Sequence, residues 1–183
     1  MSMIDSGTRP WSRWHRAAAD ASIDNDLRRL YERLDGQVAA RGPVCWVSGR
    51  CCQFDAYGHM LFVTGLEAAW VLRQTAQPPN ASAEPARQTQ PSPAAVADQA
   101  TEPAPDVGAC PFQLNRLCCV HAVRPMGCRV FFCQHGTEDW QHELYERFLA
   151  ELRGLHDEHE LPYCYMEWRQ ALREAHEALR QTG

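Results

Sequence analysis

Nine cysteines constrain this chain more than anything else in it, because they fall into two groups far apart in sequence. The first group is Cys45-x5-Cys51-Cys52. The second is Cys110-x7-Cys118-Cys119-x8-Cys128-x4-Cys133, and Cys164 stands alone. A thiolate is charged and polarizable, so clustered thiolates suit zinc or the irons of an iron–sulfur cluster. Disulfides are the competing use. An odd count leaves one thiol over, and the opening MSMIDSGTRPWSRWH lacks the apolar run of a secretory signal. The expectation is a cytoplasmic chain with reduced cysteines that bind metal. No C-x-x-C spacing occurs. The adjacent pairs 51–52 and 118–119 point to opposite sides in extended backbone. Either a tight turn gathers each pair, or one member of each is not a ligand.

With 45% hydrophobic and 22% charged residues, a single globular domain is expected. A net charge of −5 argues against a sequence-independent grip on nucleic acid, which needs a basic face. The most apolar window, Met60 to Leu72, is interrupted by Gly65 and Glu67 and falls short of the ~20 residues that cross a bilayer.

Apolar periodicity places helices around the cysteines. Ile23, Leu27, Leu30, Leu34 and Val38 form one stripe of a helix from Ser22, its cap, to Arg41, ended by Gly42-Pro43. Met60–Val63 reads as a short strand. Thr64-Gly65-Leu66-Glu67 has capping-box spacing and opens a helix that runs to about Arg73. Thr137 caps a third, with Trp140, Leu144, Phe148, Leu152 and Leu155 on its stripe. Pro162 opens a fourth, with Trp168, Leu172, Ala175 and Leu179 facing inward. Between 74 and 108 lie seven of the twelve prolines and no aromatic residue. That composition reads as a disordered linker, or as an arm for a protein partner.

The expected fold is thus mainly α, about four helices around an irregular cysteine-rich metal-binding loop core with a disordered insertion. The expected divisions are 1–73, the linker 74–108, and 109–183, with 45–73 and 109–170 forming one metal-binding domain.

The stretches Cys110-Pro111-Phe112, Cys118 and Arg124-Pro125-Met126-Gly127-Cys128-Arg129-Val130-Phe131-Phe132-Cys133 resemble the bacterial YkgJ-type cysteine-cluster family. That family carries a zinc- or iron-chelating domain, and the phrase Leu161-Pro162-Tyr163 with Trp168 also suits its C-terminal region. The resemblance spans 45–73 and 108–170. It implies ligand roles for Cys45, Cys51, Cys52, Cys110, Cys118, Cys128 and Cys133, and sets Cys119 and Cys164 aside. The first group has three cysteines where many members have four, which leaves the ligand count open; His59, His121 or His135 are the substitutes in reach. Arg124 and Arg129, inside the second group, are expected to offset thiolate charge and donate to sulfur. The cysteine module is also similar to that of flagellin lysine N-methylases, which favours a 4Fe-4S cluster over zinc. The expected function is metal binding, with a zinc module, or a redox enzyme or transferase, as alternatives. No catalytic set and no Gly-rich nucleotide loop is readable.

Overall fold

The computed structural model describes residues 9–45, 48–76 and 108–181. Most of the expected linker, 77–107, lies outside them, and residues 74–76 belong to a helix.

Asp20 ends α1 (Trp11–Ala19) and caps α2 (Ala21–Arg41), its carboxylate accepting from the backbone N–H of Ser22 at 2.8 Å and of Ile23 at 3.3 Å. Ser22, expected as the cap, sits inside the first turn. A carboxylate at the positive end of the helix dipole outcompetes a hydroxyl two residues on. The α2 stripe is buried as its periodicity implied, with Tyr31 added to it, and Gly42 ends the helix in left-handed geometry at φ 61.

A 3₁₀ turn at Arg50–Cys52 and the short α3 (Phe54–Tyr57) lead into β1 (Phe62–Thr64) and α4 (Gly65–Ala76). The capping box is formed: Thr64 N–H donates to Glu67 Oε2 at 2.8 Å, and Glu67 N–H donates to Thr64 Oγ1 at 3.2 Å. All eight residues from Gly65 to Leu72 are buried, so α4 is the central helix and runs three residues beyond Arg73. Gly65 lets α1 approach it. A Cβ at that position would stand 2.3 Å from the indole of Trp14, which is itself fixed by donation to Pro162 O at 2.8 Å.

In the second half, β2 (Gln113–Leu114) and β3 (Leu117–Cys118) form a hairpin, followed by α5 (Met126–Val130), α6 (Glu138–Glu158), β4 (Tyr165–Glu167) and α7 (Trp168–Gln181). Antiparallel β1 and β4 place Val63 opposite Met166, joining the two halves of the chain. The α6 stripe packs inward, with Leu144, Phe148, Leu152 and Leu155 buried.

Several expectations are corrected. Seven α-helices occur among the described residues rather than about four. They surround an apolar core of tryptophan, leucine and alanine; only Cys52 and Cys110 of the cysteines are buried, so the core is not a cysteine-rich loop knot. Pro162 does not open the last helix, because 165–167 form the strand that pairs with β1 and Trp168 begins α7 instead. Leu179 is 44% exposed, since α7 outruns the neighbours that cover Trp168, Leu172 and Ala175. Thr137 precedes α6, but its hydroxyl donates to Gln134 O rather than capping the helix. No helix among the described residues is long and apolar enough to cross a membrane.

One buried titratable group sets a pH dependence. His156 is fully buried on α6 with Nδ1 3.1 Å from Pro162 O, and burial holds its pKa below 6.5. The unfolded chain therefore binds a proton that the folded chain refuses. Stability is expected to be full above pH 6.5 and to fall below it, by up to about 1.4 kcal/mol per pH unit from this residue. Urea titrations at pH 7.5 and 5.5 check this: His156→Leu should flatten the slope, and an unchanged slope refutes the assignment.

Candidate metal centre

The first cysteine group is shaped by Gly49, whose φ of 71 starts the 3₁₀ turn. A Cβ there would lie 2.8 Å from Arg116 O and 2.7 Å from Gln113 Nε2, so glycine lets this loop press against the β2–β3 hairpin. Gln113 Nε2 closes the contact by donating to Gly49 O at 2.7 Å. The turn answers the question of the adjacent pair, since Cys51 Sγ and Cys52 Sγ come within 4.0 Å of each other. The second group is docked by backbone: Cys110 N–H donates to Cys52 O at 2.7 Å.

The two groups are thereby brought together, with Cys51, Cys52 and Cys118 lining one cavity and Cys110 buried beside Cys52. The Cys52 thiol draws Cys51 down to about 7 and Cys118 down to about 6 and lowers Cys110 as well, while these neighbours push Cys52 far up. Close sulfurs resist ionising together. Trp168 Nε1 adds a donor to Cys110 Sγ at 3.3 Å.

The other three expected ligands line the same cavity. Cys128, on α5, has its thiol pushed well up by burial and by the negative charge of Cys110 and Cys118. Cys133 and the exposed Cys45 lie on the lip of the same cavity; burial first, then the Cys51 charge, raises Cys133. Cys119 is exposed, and Cys164 sits at β1–β4, where its carbonyl accepts from Gly65 N–H at 3.2 Å. Among the described residues, no group of three or more His, Cys, Asp or Glu side chains is set around a common point as a ready-made metal site.

The two arginines divide their work. Arg129 is buried, with Nε donating to Arg124 O at 2.8 Å, Nη2 to Ala122 O at 3.0 Å and Nη1 to Asp35 at 2.5 Å. Its guanidinium also lies 4.3 Å from the centre of the Tyr31 ring. It clamps the turn that carries Cys128. Arg124 lines the cavity beside the sulfurs, 3.8 Å from Asp35 and against His121. Burial and the charges of Arg124 and Arg129 hold His121 down to about 4, so it is a neutral imidazole. His59 also lines the cavity, stacked on Phe131, whereas His135 is exposed outside it.

Sequence reasoning missed Glu67, Asp35 and Trp168 as parts of this region. Glu67 is 1% exposed and accepts from Met126 N–H at 2.9 Å and Tyr31 OH at 3.0 Å, besides Thr64. Its signal was a single charge inside the apolar run Leu66–Leu72. Compared with known proteins, the chain matches no family model, no curated protein and no solved structure.

Proposed function

We propose that this chain is a metal-binding cysteine-cluster protein, with thiolates from both cysteine groups holding an iron–sulfur cluster. The observation that supports the reading is the docking of the second cysteine group on the first, with Cys110 N–H on Cys52 O at 2.7 Å, the Cys51 and Cys52 sulfurs 4.0 Å apart, and Cys118 and Cys128 lining the same cavity. Thiols gathered this closely suit a cation, which displaces their protons as it binds. More than four thiols surround the place once Cys128 is counted with its electrostatic neighbours. That surplus favours a multi-iron centre over one tetrahedral ion.

Bound there, an iron–sulfur cluster supplies one-electron chemistry or a Lewis-acidic iron. The chain's own residues set its surroundings. Trp168 donates to sulfur, Arg124 offsets thiolate charge, and Arg129 holds the Cys128 turn in place. Likeness to the YkgJ-type family, expected from the CPF and RPMGCRVFFC stretches, supports the same reading. Zinc is the second reading, and one distance favours it. A tetrahedral ion with Zn–S bonds of about 2.3 Å keeps its sulfurs about 3.8 Å apart, close to the 4.0 Å between Cys51 and Cys52.

Metal analysis by mass spectrometry on anaerobically purified protein, with its visible absorbance, tests the proposal. Iron with inorganic sulfide and a brown colour is expected. Stoichiometric zinc in a colourless protein would transfer the site to the second reading, and absence of both metals sinks the centre. Cys118→Ser should lose the metal while Cys164→Ser keeps it.

A further inference from the structure

Beside the sulfurs lies a cavity of about 760 Å³, a volume that encloses a drug-sized molecule. Five of the eight large hydrophobic residues that are exposed among the described residues stand around it: Val44, Met60, Phe62, Leu117 and Phe131. Surface apolar residues gathered at the mouth of a cavity mark a binding site rather than scatter. The wall also carries Cys45, Cys51, Cys52, Cys118, Cys128 and Cys133, so its charge depends on what neutralises their sulfurs. Arg116 and Arg124 line it, and among its described lining residues there is no aspartate or glutamate, in a chain that has 23 of them.

Arg124 is only partly engaged: its Nη1 donates to His121 O at 2.9 Å, while Asp35, held by Arg129 at 2.5 Å, stands 3.8 Å away. Arg116 occupies the second central position of the β2–β3 turn with φ 63, after Asn115 with φ 51. That position ordinarily takes glycine, and a large side chain there is strained. The turn alone gives no reason for an arginine, whereas the cavity wall does.

We propose that this cavity binds a small organic anion, an alkyl or aryl carboxylate or sulfonate. Its apolar body lies against Leu61, Phe62 and Phe131, and its charge meets Arg116 and Arg124. Apolar walls reject an unpaired charge, and the planar guanidinium matches a carboxylate through paired N–H donors. A cationic ligand such as a lysine amine finds no carboxylate among the described lining residues. The inference rests on the proposed metal centre in one respect, since a bound cation neutralises the sulfurs that line the same wall.

Calorimetric titration of the purified protein with 2-naphthoate, 2-naphthylmethanol and 2-naphthylmethylammonium tests it, with metal content measured on the same sample. The naphthoate is expected to bind about tenfold more tightly than the alcohol, and the ammonium most weakly. Arg116→Gln, on an exposed turn, should remove most of that preference. Met60→Glu, at the mouth, should weaken the naphthoate by about tenfold, while Leu114→Glu, exposed outside the cavity, should not. Equal affinities, a tightest ammonium, or no binding at all would overturn the proposal. Metal-free protein that still prefers naphthoate rejects the metal centre and keeps this site. Metal-loaded protein without the preference does the reverse.

Discussion

Glu67→Leu is expected to cost about 3–5 kcal/mol of folding stability, the range for breaking a buried charge network by removing one member. The carboxylate accepts four hydrogen bonds, with Tyr31 OH and Met126 N–H on Oε1 and the Thr64 N–H and hydroxyl on Oε2. Leucine fills the space and leaves those donors buried without acceptors, each a penalty of about 1–3 kcal/mol that does not add fully. Three elements loosen together: α2 through Tyr31, the start of α4 through Thr64, and the cysteine turn through Met126. Glu67→Gln keeps the shape and one good acceptor, so it should lose roughly half as much. Chemical denaturation measures the difference, and a loss under about 1 kcal/mol for the leucine variant would show that these bonds contribute little.

Burial raises the Glu67 pKa above 4.5 despite its donors. A raised carboxyl contributes its stability fully below pH 4.5 and loses it as pH rises through the folded-state value. The gap between the native protein and the glutamine variant should therefore widen in favour of the native protein as pH is lowered toward 4.5.

Arg129→Met is expected to cost about 2–3 kcal/mol and to weaken metal retention in the same step. The ion pair with Asp35 is only part of this. The Asp35 side chain is 44% exposed, and solvent screens its share. The larger loss is at Arg124 O and Ala122 O, which give up their donor in the turn leading to Cys128. Lysine cannot form the same fork, so Arg129→Lys should recover less than half of the stability. Thermal melts and metal stoichiometry read the two effects separately. A variant that melts like the native protein would refute the clamp, and one that is less stable but keeps all its metal would confine Arg129 to folding.

What could be read from the sequence was what depends on neighbours along the chain. The α2 and α6 stripes and the Thr64–Glu67 box rest on spacings of three and four residues, and they are found in place. The misplaced starts have a common cause. At Ser22 and Pro162 a local preference lost to a partner: the stronger Asp20 carboxylate in one case, pairing with β1 in the other. The α1 helix had tryptophans but no long stripe to reveal it, and its reason is tertiary, the indole of Trp14 against the bare backbone of Gly65. In the site, cysteine spacing indicated chemistry but not convergence. Nothing local to 51–52 says that a 3₁₀ turn gathers both sulfurs, and nothing local to 110 says that its amide finds Cys52 O. Arg116 was invisible for the same reason, since its importance comes from the cavity that the hairpin faces.

The pairing of β1 with β4, together with Trp168 on Cys110, has a consequence for how the protein is made. A chain emerges from the ribosome with its N-terminal part first. The first cysteine group is thus synthesised long before the strand and the indole that finish its surroundings. Until β4 and α7 follow, β1 lacks its partner strand and the thiols of Cys51 and Cys52 have no second group to meet. Loading of the proposed metal centre would accordingly await the completed chain, and the early thiols would meanwhile be open to oxidation or a wrong ion.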